Sequence, residues 1–174
     1  MKKTLIVVDV QNDFVTGSLG TKEAEAIIEP VRRKIQEYRS RKDQVIFTRD
    51  THYENYLETP EGKKLPVKHC VKDTWGWEIV EGLEFPGCSY VNKETFGTLD
   101  WKTYAFEGEI ELVGLCTDIC VVSNALILKA MYPDNRITVD GSCCAGVTPQ
   151  THEAALETMK MCQIEVNNSS VGLL

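Results

Sequence analysis

Two stretches of the chain are apolar almost without interruption and rich in β-branched residues, Thr4–Val10 (TLIVVDV) and Gln44–Thr48 (QVIFT), and a third, Glu109–Leu115 (EIELVGL), runs apolar from Ile110 apart from Glu111. Runs of this kind read as strands buried on both faces in a parallel sheet. Shorter and more polar runs at Cys88–Asn92, Arg136–Asp140 and Gln163–Val166 add three further strands, the last at an edge. Between them the apolar period lengthens to that of a helix. Residues 22–40 place Ala26, Ile27, Ile28, Val31, Ile35 and Tyr38 on one face, Ile119–Met131 is periodic, and Gln150–Met161 turns Ala154, Ala155, Leu156 and Met159 inward. Asp100–Phe106 predicts a short helix and Ser142–Pro149 a small-residue loop. Residues 53–87, with Pro60, Pro66, Gly76 and Pro86, show no clean period, and an excursion of that length in a compact domain is usually functional. Alternating strands and helices predict an α/β fold: a single domain over residues 1–174, doubly wound, with a mostly parallel six-stranded sheet, helices on both faces and an insertion at about 50–87.

Composition narrows the partners. A chain of 174 residues, 43% hydrophobic and 26% charged, is ordinary for a soluble globular domain. Its net charge of −7 argues against nucleic acid and against an anionic membrane surface, since both need a basic face, and no apolar run approaches a membrane span. A small molecule is the expected partner, with a homo-oligomer left open. Leu5–Val8 is too short for a signal-peptide core and is followed at once by Asp9. The seven cysteines are odd in number and not spaced as a disulfide framework, which points to a reducing cytoplasm.

Candidate chemistry gathers at the predicted strand ends, where α/β folds bind ligands. Asp9 closes the first strand, as a cap or as part of a site. Asp50-Thr51-His52 follows the second, and His69 stands on a loop seventeen residues further on, with Glu58 and Glu61 between. Two imidazoles and one or two carboxylates suit Zn²⁺, Mn²⁺ or Fe²⁺; the alternative is a set of loop caps and surface charges. Lys93 ends the third strand, as a surface charge or as the charge balance of a catalytic cluster. After the fourth, Thr117 and Asp118 stand where a helix cap belongs and Cys120 falls in the first turn, where unpaired N–H groups favour a thiolate and could bind an oxyanion. Cys116 and Cys120 also suit the role of small apolar fillers, and their three-residue separation is a poor redox spacing. Phe14, on the turn-rich Gln11–Gly20 segment, would line a pocket or cover the core edge. His152 has no ligand-type neighbour and reads as structural or exposed.

Asp9 in DVQNDF, Lys93 in NKETFGT and Cys120 in GLCTDICV together resemble the isochorismatase-like cysteine hydrolases, and the DTH…PVKHC loop resembles their nicotinamidase branch. The resemblance spans nearly the whole chain. It implies a catalytic triad of Asp9, Lys93 and Cys120, a cis peptide at Leu115–Cys116 that aims the Cys116 N–H beside that of Cys120 as an oxyanion hole, and a divalent metal, zinc first, on Asp50, His52, His69 and Glu61, the last preferred to Glu58. It also implies a ring pocket at Phe14 and Phe96, beside Leu115, and hydrolysis of nicotinamide, with pyrazinamide as a surrogate. The sequence departs from the branch at Leu65-Pro66-Val67, where many members carry an aromatic before the second histidine. Rival readings are another small-amide cysteine amidohydrolase of the superfamily and a non-catalytic metal-binding module.

Overall fold

The computed structural model describes residues 2–167. Its sheet comprises β1 (Thr4–Val8), β2 (Gln44–Asp50), β3 (Ser89–Lys93), β4 (Ile110–Leu115), β5 (Ile137–Ala145) and β6 (Glu165–Asn167), in the spatial order β3-β2-β1-β4-β5-β6. Every pairing is parallel. The pleat sorts alternate residues to opposite faces. Leu5, Val7, Val45 and Phe47 pack with Val31, Ile35 and Tyr38 of helix α3 (Ile28–Ser40). Ile6, Val8 and Ile46 pack on the other face with Leu128 of α5 (Val122–Met131) and with Leu156 and Met159 of α6 (Pro149–Met161). At about 1.5–3 kcal/mol for each large apolar side chain buried, these two layers fix which residues of each strand face which helix. Three more short helices, α1 (Asn12–Val15), α2 (Lys22–Ala26) and α4 (Pro60–Lys64), cover the carboxyl edge of the sheet and its insertion. Among the described residues no helix is long and apolar enough to cross a membrane.

Several boundaries differ from the sequence expectation, each for a local reason. β1 stops at Val8 because Asp9 takes a left-handed backbone, φ 47°, and turns the chain out of the sheet. The single helix expected over 22–40 is two, broken at Ile27. Pro30 has no N–H to give the preceding turn, so it is tolerated only in the first turn of a new helix that starts at Ile28. The helix expected over Asp100–Phe106 is a 3₁₀ turn at Asp100–Thr103. β5 runs through Gly141 and Ser142 to Ala145, where a loop was expected, because its pairing with β4 jumps from Leu112–Val139 to Gly114–Cys144. Gly114 permits that approach: its φ is 115°, and a Cβ there would lie 2.1 Å from the Val8 carbonyl oxygen.

The chain leaves β1 toward β2 and β3 and returns through β4 toward β5 and β6. The neighbours β1 and β4 therefore define the point where the winding reverses, and a crevice opens beyond their carboxyl ends.

Candidate active site

Four strand ends converge on that crevice. Asp9, just past β1, is fully buried; its Oδ1 accepts from the Thr48 hydroxyl on β2 at 2.5 Å, and its N–H reaches the same hydroxyl at 3.1 Å. Its Oδ2 lies 2.6 Å from Nζ of Lys93, the last residue of β3. The Lys93 ammonium is also 3.5 Å from Sγ of Cys120 and 3.4 Å from Oδ1 of Asp50. The structure thus brings Asp9, Lys93 and Cys120 together, and Lys93 joins them to the second group of candidate residues.

Cys120 sits in a π-helical turn, Thr117–Val121, that leads into α5. The peptide before it, Leu115–Cys116, is cis. The Cys116 carbonyl accepts the N–H groups of Ile119 at 3.1 Å and Val121 at 3.0 Å, passing over that of Cys120. Two side chains tie this turn to the end of β5 and to α6. Asp118 accepts the Val147 N–H at 3.1–3.2 Å, and the Thr117 hydroxyl lies 2.7 Å from Nδ1 of His152. His152 is accordingly structural.

Electrostatics in this pocket run against a resting thiolate. Burial pushes the Cys120 thiol well above its ordinary pKa and the Asp9 charge pushes it further, while Lys93 opposes both without prevailing. Position at a helix start points to a thiolate; desolvation acts against it here. Asp9 is likewise raised, by burial first and by Asp50 after it, against the pull of Lys93. Burial would discharge Lys93, yet the negative charge of Asp9 beside it raises its pKa. The geometry pairs Asp9 with Lys93, next to a sulfur whose burial favours the thiol. The Cys116 thiol, pushed up to about 12 by burial, is no thiolate either.

Asp50, His52, Glu61 and His69 each turn one donor atom to a common point, all four within 4.8 Å of one another. His52 Nε2 stands 2.9 Å from Asp50 Oδ2 and 3.6 Å from Glu61 Oε1; His69 Nε2 stands 3.6 and 3.8 Å from the same two oxygens. The His69 ring is set by its other nitrogen, Nδ1, which meets the Val67 carbonyl at 2.8 Å and leaves Nε2 free as a donor to a cation. His52 Nε2 is buried with no hydrogen bond of its own despite its short contact. Donors around a zinc ion at about 2.0–2.2 Å stand roughly 3.4 Å apart, so this set fits a first-row divalent cation. Burial would raise the Asp50 carboxyl, but His52, His69 and Lys93 hold it well below the usual range. Glu58 lies exposed, outside the group.

Two contributors carried no signal in the sequence. The buried Gln11 side chain clamps the Asp50 backbone from both sides, accepting its N–H at 2.7 Å and donating to its carbonyl at 2.9 Å, and donates also to the Trp77 carbonyl at 2.8 Å. Thr48 could be located only once β1 and β2 were paired. Phe14, Phe96 and Leu115 line one cavity of about 600 Å³, together with Cys116, Cys120, Asp50, Glu61 and His69.

Comparison with known proteins places this arrangement. The profile of the Isochorismatase domain matches residues 3–169. The chain belongs to the isochorismatase family. Within that superfamily it falls in the nicotinamidase branch. The chain is 28% identical to a nicotinamidase/pyrazinamidase of Mycobacterium tuberculosis over 97% of its own length and all of the relative's. Its fold superposes on a nicotinamidase/pyrazinamidase of Bacillus subtilis with a TM-score of 0.83 at 27% identity, covering 97% of this chain and all of the other. A pyrazinamidase of Pyrococcus horikoshii, solved in complex with zinc, gives 0.82 at 27% identity over 97% and 99% of the two chains. The all-parallel order found in this isochorismatase-family chain is the α/β fold of those structures.

Proposed function

We propose that this protein is a nicotinamidase, hydrolysing nicotinamide to nicotinate and ammonia through a thioester on Cys120. The observation that carries the reading is the contact of Lys93 Nζ with both Asp9, at 2.6 Å, and Cys120 Sγ, at 3.5 Å, with Cys120 itself on the wall of a cavity that Asp50, Glu61 and His69 of the donor cluster also line. Asp9 takes the Sγ proton as sulfur attacks the amide carbon, and Lys93 keeps the carboxylate ionised and in register. The oxyanion faces the N–H groups of Cys116 and Cys120. Asp9 passes the proton to the amide nitrogen, and ammonia leaves. Water, giving a proton to Asp9, then attacks the thioester; nicotinate departs and the proton returns to Sγ. A divalent cation held by Asp50, His52, His69 and Glu61, zinc by preference over manganese or iron, would take the pyridine nitrogen directly or through water and withdraw charge from the ring. Phe14 and Phe96 bound the ring.

Incubation with nicotinamide in the presence of Zn²⁺, Mn²⁺ or Fe²⁺, with ammonia measured, is the test. Steady release is expected. No release with any of the three would remove the substrate assignment.

A further inference from the structure

The cavity beside Cys120 is much larger than the substrate just proposed. Nicotinamide has nine non-hydrogen atoms and needs roughly 150 Å³ at the close-packed density of protein interiors, whereas the cavity measures about 600 Å³. Part of that volume is the mouth and the space among the donors, but close packing decides specificity in apolar sites, and a bare pyridine would leave part of the remaining wall without contacts. Nothing in the wall closes the gap. The segment leading to His69 is Leu65-Pro66-Val67-Lys68 and supplies no ring opposite Phe14, which instead tilts against His69 with ring centroids 5.5 Å apart. Leu65 and Val147 line the cavity yet remain 39% and 54% exposed, an apolar surface that a bare ring held between Phe14 and Phe96 would not cover.

We infer that the site takes pyridine-3-carboxamides carrying an uncharged alkyl group at ring carbon 5; this rests on the amidase reading above. The ring itself gives the position. Its nitrogen, the carbon bearing the carboxamide and carbon 5 occupy alternate corners, so when the first faces the donor cluster and the second faces Cys120, the third points away from both. The lining residues outside those two groups include Leu19, Thr21 and Ala24, from the segment that runs into α2, and Val147, which Asp118 holds in place through its N–H. Outside the metal-type donors, the charged lining residues among those described are Lys64 and Glu94, one of each sign, so the wall offers an ionic substituent no net attraction. An apolar extension fits.

The experiment measures kcat/KM for ammonia release from nicotinamide and from its 5-ethyl, 5-propyl and 5-butyl derivatives. Each methylene buried against the wall should raise kcat/KM about fourfold through KM. Val147→Trp, at an exposed position on the cavity rim, should bring the butyl compound to parity with nicotinamide, and Leu19→Ser should shrink the gain per methylene. A kcat/KM that falls from the first added carbon, or a gain that persists undiminished in both variants, overturns the inference. If nicotinamide itself yields no ammonia, the amidase reading falls alone. Calorimetry with the same series and the metal-loaded protein then decides the cavity: binding that tightens with chain length supports the inference, and binding that weakens overturns it.

Discussion

Lys93→Met removes the cation paired with a fully buried carboxylate. Asp9 keeps its bond from Thr48 but loses the Lys93 charge and hydrogen bond, the two strongest influences that lower its pKa. An uncompensated buried charge costs about 3–5 kcal/mol, and a carboxylate can avoid that cost by taking a proton. The variant should therefore fold with Asp9 neutral. The folded state then binds one proton more than the unfolded chain, where the carboxyl titrates near pH 4. Stability falls as pH rises above that value, by about 1.4 kcal/mol per unit, and continues to fall until the folded pKa is reached. Relative to wild type, whose Lys93 keeps Asp9 paired, the deficit should widen by about 2–4 kcal/mol between pH 5 and pH 8, the part of that cost not already lost below pH 5. Urea unfolding at each pH, with midpoints compared at constant slope, measures it. Adding Asp9→Asn to the same variant should flatten the dependence. A deficit that is large and constant from pH 5 to 8 would refute the reasoning, because Asp9 would then stay ionised without its partner.

Other perturbations separate the roles of the two clusters. His52→Ala should raise KM and lower kcat for nicotinamide, with partial rescue by excess metal, because one donor is lost while the Asp9–Lys93 pair is untouched; an unchanged KM would detach the donor cluster from substrate binding. Benzamide, which lacks the ring nitrogen, should be a poor substrate of the wild type and nearly indifferent to His52→Ala; equal loss for both amides would mean that the cation serves the fold or the thiol. Iodoacetamide at neutral pH should label the exposed Cys162 faster than Cys120, whose thiol is buried and held protonated. Faster labelling of Cys120 would restore the thiolate.

The sheet was legible because its central strands are apolar on both faces, and a run such as Leu5–Val8 has few other ways to satisfy that pattern. The strand ends carrying Asp9, Asp50, Lys93 and Cys120 were legible for the same reason: polar groups that interrupt such runs stand out. What failed were features set by pairing. Ser142 to Ala145 look like the start of a small-residue loop in sequence, and only the shifted register with β4 keeps them in β5. Gln11 and Thr48 are unremarkable polar residues until the chain folds Asp50 and Asp9 onto them. The burial that pushes the Cys120 thiol up was not legible, because position in a helix is visible in sequence and depth of burial is not. The link from Lys93 to Asp50, which makes the two clusters one, depends on adjacent strand ends and has no local signature.

The central claim is that Cys120 is the nucleophile of an amide hydrolysis, and nicotinamide turnover by Cys120→Ala, measured together with nicotinamide binding to the same metal-loaded protein, tests it most directly. Loss of kcat by about a thousandfold or more, with binding within a few-fold of wild type, is expected, because the sulfur that forms the thioester is gone while the ring pocket and donor cluster remain. Turnover within tenfold of wild type would contradict the account.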